Sequence, residues 1–426
     1  MKKKLIFIVG MLLLSCTFAW RTCAEDVDIP ARSAIAVDVK SGKVFYEKKS
    51  KAVYEIASLT KLITIYIVLN EIKNGNLKWE DEIQVSDYAL QLSRDYRLSG
   101  VPLEEGRSYS VRELYNASLI VSANACAVML AEKISGSEIK FVDKMNETLN
   151  NLGIKDAKIV NASGLTTEFI PQKYRKSGTK NSDENKMSAK DLAILATHIL
   201  KEFPEILKTT SLVEESFGSK TNSHVKMTTT NWMLKGMQNA YTGVDGLKTG
   251  TTAKAGQCFV GTVNRKNWRL VTVVLHANYG EVNHDARFTA TEELMDYVYK
   301  NWSQKKILQK GKTFNAAKYF PVKDGVDEKV PLELKEDVWR WAEKSYDLGK
   351  TSIHFEGLKE GSLLAPVAQG DNAGNIKVDL LDDKLGYLEK SEDPPAPMIT
   401  SKNIKKANFF VRMGRHLLEY IHKLLT

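Results

Sequence analysis

The strand-forming segments of the first three hundred residues lie at the two ends of that stretch, with helices between them, and this order leaves few folds open. Near the N-terminus, Ala34-Ile35-Ala36-Val37-Asp38-Val39 and Lys43-Val44-Phe45-Tyr46 have strand-like patterning and flank a turn at Ser41-Gly42, which reads as a hairpin. Far along the chain, 257–263 and 268–276 form a second pair, joined by the polar run Asn264-Arg265-Lys266-Asn267. Between the pairs the spacing changes. From Ser58 onward, Leu62, Ile65, Tyr66 and Leu69 recur three and four residues apart and make one buried helical stripe. Further helices are expected over 111–119 and 123–134, from Ser188 through Leu200, and over 285–302, while the polar, aperiodic 166–187 reads as a long loop. Hairpins at both ends share a core with those helices if they join in one sheet. The expected class is therefore α+β, an antiparallel sheet covered by helices.

That unit does not use up the 426 residues, which exceed the roughly 250–300 at which one core stops growing. Composition shifts near Ser303. Short apolar runs at 330–334, 352–355 and 376–381, separated by Gly, Asp and Lys clusters, predict a small all-β domain. Asp393-Pro394-Pro395-Ala396-Pro397 reads as a semi-rigid linker, because proline cannot donate within a central strand. The expected division is 1–24 signal peptide, 25–302 sheet-and-helix domain, 303–391 small β domain, 392–401 Pro-rich linker and 402–426 amphipathic helix.

Charge supports the two terminal assignments. The net charge is +9, of which residues 1–24 carry four and 402–426 carry five, so the body between them is neutral. A basic excess confined to the ends excludes nucleic acid as the partner. Lys2, Lys3 and Lys4 precede an apolar run, 5–14, and small residues offer cleavage after Ala19 or Ala24, the layout of a secretory signal. In the tail, winding at 100° per residue gathers Phe410, Met413, Leu417, Leu418, Ile421 and Leu424 on one side. Arg412, Arg415, His416, Glu419, His422 and Lys423 fall on the other, the pattern of a helix lying in a membrane surface. Cys16 and Cys23 belong to the signal, leaving Cys126 and Cys258 in apolar stretches as small buried side chains. The seven histidines show no HxH, HxxxH or HExxH spacing, so no metal is expected, nor any cofactor.

Ser58-Leu59-Thr60-Lys61 sets a hydroxyl and an amine on one face at a helix start. A serine needs a base to become nucleophilic, and a desolvated lysine can serve. The motif alone is weak, since the same spacing recurs at Ser137/Lys140, Ser177/Lys180, Ser223/Lys226 and Ser303/Lys306. Ser122-Ala123-Asn124 interrupts an apolar helical stretch, where polar groups must find partners or cost about 1–3 kcal/mol each. A helix N-cap is the competing explanation there. Lys248-Thr249-Gly250, the only such triplet in the chain, precedes a strand, and its glycine would let a substrate backbone approach the strand edge.

In this order and on these elements, the three motifs resemble the Ser-x-x-Lys, Ser-x-Asn and Lys-Thr-Gly set of penicillin-recognising enzymes. The chain more closely resembles the low-molecular-weight penicillin-binding proteins, the serine D-alanyl-D-alanine carboxypeptidases. Asn161-Ala162-Ser163-Gly164-Leu165 and Ser188-Ala189-Lys190-Asp191-Leu192 extend the match, as do the β domain and tail. The resemblance implies the penicillin-recognising transpeptidase and β-lactamase-like fold. It also implies Ser58 as nucleophile on the bond between two terminal D-alanines of a peptidoglycan stem peptide, and Lys61 as its base. Ser122 would pass a proton to the leaving D-alanine, and Asn124 would hold the substrate amide. Lys248, Thr249, Gly250, Thr251 and Arg287 would receive the substrate, the N–H groups of Ser58 and Thr251 forming an oxyanion hole typically worth about 3–4 kcal/mol. β-Lactams would acylate Ser58. Such an enzyme is exported and works at the outer face of the bacterial cytoplasmic membrane.

Three other activities share parts of this pattern. A β-lactamase needs a deacylating glutamate, but the expected Glu-x-x-Leu-Asn is absent and Glu147-Thr148-Leu149-Asn150 is one residue short. A D,D-transpeptidase or endopeptidase would use the same acyl-enzyme. An inactive wall-binding scaffold would have lost a motif residue, and none is missing here.

Overall fold

The computed structural model describes residues 27–219, 224–278, 283, 285–389 and 393–425; the expected signal, 1–24, lies outside them. Strands β1 (Ala31–Asp38) and β2 (Val44–Lys48) open the chain. Helices α1 (Lys61–Lys73), α2 (Asp87–Arg94), α3 (Val111–Ile120), α4 (Asn124–Ser135), α5 (Glu138–Asn151), α6 (Ala189–Glu202) and the short α7 (Ile206–Thr210) follow. Then come β3 (Val244–Thr252), β4 (Gly256–Arg265), β5 (Trp268–Ala277) and helix α8 (Ala286–Asn301). The hairpins do meet. The sheet order is β2-β1-β5-β4-β3, all antiparallel, with β1 closing on β5 from Ala31↔Ala277 to Asp38↔Leu270.

Alternation along the strands explains why both faces are covered. Ile35 and Val37, Val260, Val271 and Val273 enter one core with the helices that follow β2. Their neighbours Ala34 and Ala36, Phe259, Leu270 and Val274 enter a second, against Phe288, Leu294, Met295 and Val298 of α8. Helix starts are fixed locally. Ser110 with Glu113, and Ser188 with Asp191, form capping boxes on α3 and α6, caps typically worth about 1 kcal/mol. The 166–187 segment is loop with short 3-10 turns at Thr167–Phe169 and Gln172–Tyr174, and Lys186–Ser188 pairs with Val53–Glu55. Cys126 and Cys258 are buried and unbridged.

The remaining strands have a core of their own, built on Val330, Leu332, Leu334, Ile376, Val378 and Met398. They are β6 (Trp302–Leu308), β7 (Tyr319–Lys323), β8 (Lys329–Leu334), β9 (Val338–Glu343), β10 (Thr351–Gly357), β11 (Leu363–Leu364), β12 (Asn372–Leu380) and β13 (Ala396–Thr400). Six form a sheet in the order β10-β12-β13-β8-β7-β11, and β6 pairs with β9.

Two boundaries expected from sequence need correction. The Pro-rich segment is not a linker, because 396–400 is β13, a central strand between β12 and β8. Pro397 is tolerated because its carbonyl faces Lys335, accepting that N–H at 3.0 Å, one residue past the end of β8. The missing proline donor therefore costs a bond at the end of the ladder and none in its middle. Nor does the tail begin at 402. Ile404 is buried in the β-domain core and exchanges backbone hydrogen bonds with Val367, and Val326 N–H donates to Lys405 O at 2.8 Å.

The last helix is α9 (Phe409–Leu425), capped by Asn408, whose Oδ1 accepts from Val411 N–H at 3.0 Å. Its polar side faces the β domain. Arg415 donates to Gly325 O at 2.6 Å and pairs with Glu328 at 2.7 Å, and His416 Nε2 lies 3.1 Å from Asp324. The other side is open, with Phe410 77% and Leu418 68% exposed. No helix among the described residues is long and apolar enough to cross a membrane.

The two folded units meet at the β2 edge and the β4–β5 turn. Lys43, buried, donates to Asp383 at 2.8 Å and to Gly386 O at 3.0 Å. Trp268 stacks on Trp341 with centroids 4.1 Å apart.

Candidate active site

Ser58 sits in the short 3-10 turn Ala57–Thr60 that leads into α1, with Lys61 as the first helical residue. Ala57 is held at φ +47°, and the turn is wedged between two glycines. A Cβ on Gly164 (φ +86°) would lie 2.0 Å from Ala57 O, and one on Gly250 would lie 2.8 Å from Ile56 O. Gly250 is therefore needed first for packing β3 against the serine turn, a different reason from the open edge that its sequence context suggested.

Lys61 is fully buried, and its ammonium has three acceptors: Ser58 Oγ at 3.0 Å, Asn124 Oδ1 at 2.8 Å and Ser163 O at 2.7 Å. Burial, and then the charge of Lys248, push its pKa well below the ordinary lysine value. Once Lys61 is neutral, the amide oxygen and the carbonyl take its two hydrogens, and its lone pair is left facing Ser58. The carbonyl is itself held in place. Asn161 Oδ1 accepts from Gly164 N–H at 2.6 Å, and buried Glu138 accepts from Ala162 N–H at 2.8 Å and from Tyr88 OH at 2.7 Å.

Ser122 is not a helix cap. It sits at φ +62° ahead of α4, 4% exposed, with its hydroxyl lacking a hydrogen-bond partner among the described residues. Left-handed backbone at a non-glycine residue costs about 1–3 kcal/mol and marks a site where function constrains the chain. Asn124 donates from Nδ2 and from its backbone N–H to Ser99 O, both at 3.0 Å.

The third side is β3. Lys248 is 1% exposed and donates to Thr249 O at 3.1 Å, and burial followed by the Arg287 charge lowers its pKa to about 7. Thr249 Oγ1 shares a hydrogen bond of 2.7 Å with Thr230 Oγ1. Arg287, at the start of α8, is buried and reaches Thr251 Oγ1 at 2.5 Å and the carbonyls of Gly250 and Cys258 at 3.1 and 3.2 Å. Ser58, Ser122, Thr249, Gly250, Thr251 and Arg287 thus line one cavity of about 240 Å³. All nine residues singled out from sequence lie in or directly behind it.

Sequence reasoning missed other parts of the wall. Ser99, Thr229 and Thr230 add polar groups, and Trp232 and Phe288, 5.7 Å apart, add an apolar side. None belongs to a motif. Ser163 stood within a quoted motif, but its contribution is a backbone carbonyl, which no residue type announces.

Comparisons with known proteins point the same way. The profile of a family named D-alanyl-D-alanine carboxypeptidase matches residues 20–279, and that of the penicillin-binding protein 5 C-terminal domain matches 302–406. The D-alanyl-D-alanine carboxypeptidase DacF of Bacillus subtilis is 27% identical over 417 residues, covering 96% of each chain. DacC of Escherichia coli, also a D-alanyl-D-alanine carboxypeptidase, is 25% identical over 419 residues, covering 97% of this chain and 94% of its own. Among solved structures, PBP3 of Streptococcus pneumoniae, described as a peptidoglycan synthesis regulatory factor, is 39% identical with a TM-score of 0.74. That match covers 89% of this chain and 100% of the other. Penicillin-binding protein D2 of Listeria monocytogenes, solved with ampicillin bound, is 31% identical with a TM-score of 0.52, covering 65% and 99%.

Proposed function

The chain belongs to the D-alanyl-D-alanine carboxypeptidase family, and from that membership we propose the part each site residue takes in the reaction. The protein is a penicillin-binding serine carboxypeptidase that acts on peptidoglycan. Ser58 Oγ attacks the carbonyl between the two terminal D-alanines and yields its proton to Lys61 Nζ. The developing oxyanion is received by the N–H groups of Ser58 and Thr251. Ser122 passes a proton to the departing amine, D-alanine leaves, and water hydrolyses the Ser58 ester. Asn124 orients Lys61 and the substrate amide. Lys248, Thr249, Thr251 and Arg287 hold the terminal carboxylate, and Gly250 keeps β3 close enough to the serine turn for both to touch one substrate. A β-lactam enters as an analogue of the same dipeptide and stops at the ester. The observation that carries this reading is the 3.0 Å contact between Lys61 Nζ and Ser58 Oγ, with the other two amine contacts already directed elsewhere.

Release of D-alanine from a free pentapeptide tests it, run beside the same peptide with an amidated C-terminus. The acid is expected to turn over and the amide to be poor by at least about tenfold, the loss of one charge-assisted contact. Equal turnover would overturn carboxylate recognition by Lys248 and Arg287.

The pH profile follows from the same assignment. Attack needs Lys61 neutral, and carboxylate capture needs Lys248 charged. Because the Lys248 pKa is near 7, kcat/KM is expected to fall as pH rises through about 7, where the free enzyme loses that charge. Lys248→Arg keeps a charge in this range and is expected to move the falling limb to higher pH. A limb that stays in place in the arginine variant, in rates measured between pH 5.5 and 9, would assign it to another group.

We also propose that residues 1–24 direct export, and that α9 holds the enzyme to the outer face of the cytoplasmic membrane. The exposed apolar side of α9 and the basic charge of the tail support this placement.

A further inference from the structure

Thr249 and Thr251 lie two residues apart on β3, on one face of the strand, and both line the active-site cavity. A threonine hydroxyl has one proton to give, and a substrate receives it only if nothing else in the protein takes it. For Thr251 the matter is settled by Arg287. A guanidinium only donates, so Thr251 Oγ1 accepts from Arg287 at 2.5 Å and keeps its own proton for the cavity. Among the described residues no cation reaches the Thr249 hydroxyl. Its partner is Thr230 Oγ1, 2.7 Å away, and either oxygen can be the donor.

The direction of that bond decides what Thr249 can do. If Thr249 donates to Thr230, its proton is spent inside the protein. If Thr230 donates, the Thr249 proton is free to point into the cavity, as that of Thr251 does. A bound carboxylate selects the second arrangement, because it accepts hydrogen bonds and cannot donate them. We propose that Thr230 is a positioning residue for carboxylate recognition, donating to Thr249 Oγ1 so that Thr249 gives its own proton to the terminal carboxylate of the substrate. The inference rests on the proposed function, in which Thr249 is one of the groups that hold that carboxylate.

The fold fits Thr230 for this part. It is the last of three successive threonines, and packing alone tells them apart. Thr228 is exposed, Thr229 is buried with its Oγ1 accepting from Asn231 N–H at 3.1 Å, and Thr230 lines the cavity. The backbone around it is pinned. Thr229 N–H donates to Val213 O at 2.8 Å, Thr230 N–H to Ile120 O at 3.0 Å, and Met233 N–H to Asn231 Oδ1 at 3.1 Å. Ile120 ends α3, two residues before Ser122. Thr230 is thus tied to the Ser122 side of the cavity by its backbone and to the β3 side by its hydroxyl. The bond that Thr249 receives also polarises the one it donates, strengthening it by roughly 10–30%.

The order of events separates this role from a merely structural one. The carboxylate departs with D-alanine, so the Thr230–Thr249 pair assists formation of the Ser58 ester and has nothing to hold while that ester is hydrolysed. A residue that only braced the two walls would affect both steps.

Thr230→Val tests this, because it keeps the β-branched shape and the backbone bond to Ile120 while removing the hydroxyl. For D-alanine release from the free pentapeptide, kcat/KM is expected to fall about tenfold, the cost of misdirecting one charge-assisted contact. The acyl-enzyme, formed from a depsipeptide that leaves the same D-alanyl ester on Ser58 and followed by mass spectrometry, is expected to decay within about twofold of the wild-type rate. Thr230→Ser is expected to recover most of the loss, and the exposed control Thr228→Val to change neither step. Thr249→Val is expected to slow acylation at least as much as Thr230→Val, and adding Thr230→Val to it to cost no more than about a further twofold, since the one acts through the other. Unchanged acylation in Thr230→Val, an equal loss in both steps, or no recovery in Thr230→Ser would overturn the assignment. Losses that multiply in the double variant would overturn it too, because Thr230 would then touch the substrate itself. Equal turnover of acid and amide pentapeptides by wild type would fail the proposed carboxylate recognition, whereas a wild type that prefers the acid beside an unaffected Thr230→Val would fail Thr230 alone.

Discussion

Ser58→Ala is expected to leave no penicillin adduct detectable by mass spectrometry and to cut D-alanine release by about 10⁴-fold or more, the usual cost of losing a serine nucleophile. Lys61→Ala is expected to fall almost as far, because the Ser58 hydroxyl has its hydrogen bond to Lys61 and without a base it is a weak nucleophile. Lys61→Arg is the discriminating variant. It keeps a positive charge beside Ser58 but cannot give up its proton at any working pH. If Lys61 acts as the base, the arginine variant is as inactive as alanine. If it only supplied positive potential, arginine would retain labelling, and that result would sink the mechanism. Thermal melts of the three variants separate lost chemistry from lost folding, which matters because Lys61 is fully buried and bonded to Asn124 and Ser163.

What the sequence made legible divides along physical lines. Alternating strands and three- and four-residue helical stripes predict the sheet-and-helix layers, because each reports which face a segment must bury. Side chains whose chemistry is their identity, such as Ser58, Lys61 and Lys248, are visible as motifs. Two kinds of feature are not. Backbone groups carry no signature, so Ser163 O and Ser99 O, which orient Lys61 and Asn124, stay hidden until the chain is folded. Context can also reverse a propensity. Pro397 argues against a central strand until Lys335 is found just past the end of β8, where the absent donor matters little. Arg287 belongs to no motif and is singled out by the resemblance alone, and the β3–β4 register is what brings Gly250 O and Cys258 O together to receive it.

Deleting 408–426 is expected to move the enzyme from the membrane pellet to the supernatant while leaving turnover of the free pentapeptide unchanged. The structure decides against the alternative that α9 folds onto its own domain through its apolar side. Arg412, Arg415 and His416 face Asp324, Gly325 and Glu328, so the polar side docks and the apolar side is turned outward. Six large apolar residues, Phe410, Met413, Leu417, Leu418, Ile421 and Leu424, are between 43% and 77% exposed on that helix. Burying each fully is worth about 1.5–3 kcal/mol, and each nearby cation adds about 1 kcal/mol at an anionic surface. Partial immersion of the set still shifts the partition by orders of magnitude. High salt screens only the cationic share, so it is expected to release the full-length enzyme in part. The cut must fall after Ala407. A deletion starting at 402 also removes buried Ile404, a core loss of about 2–5 kcal/mol, and is expected to lower the melting point of the β domain as well as free the enzyme. If protein lacking 408–426 still sedimented with membranes after signal removal, the attachment would lie outside α9.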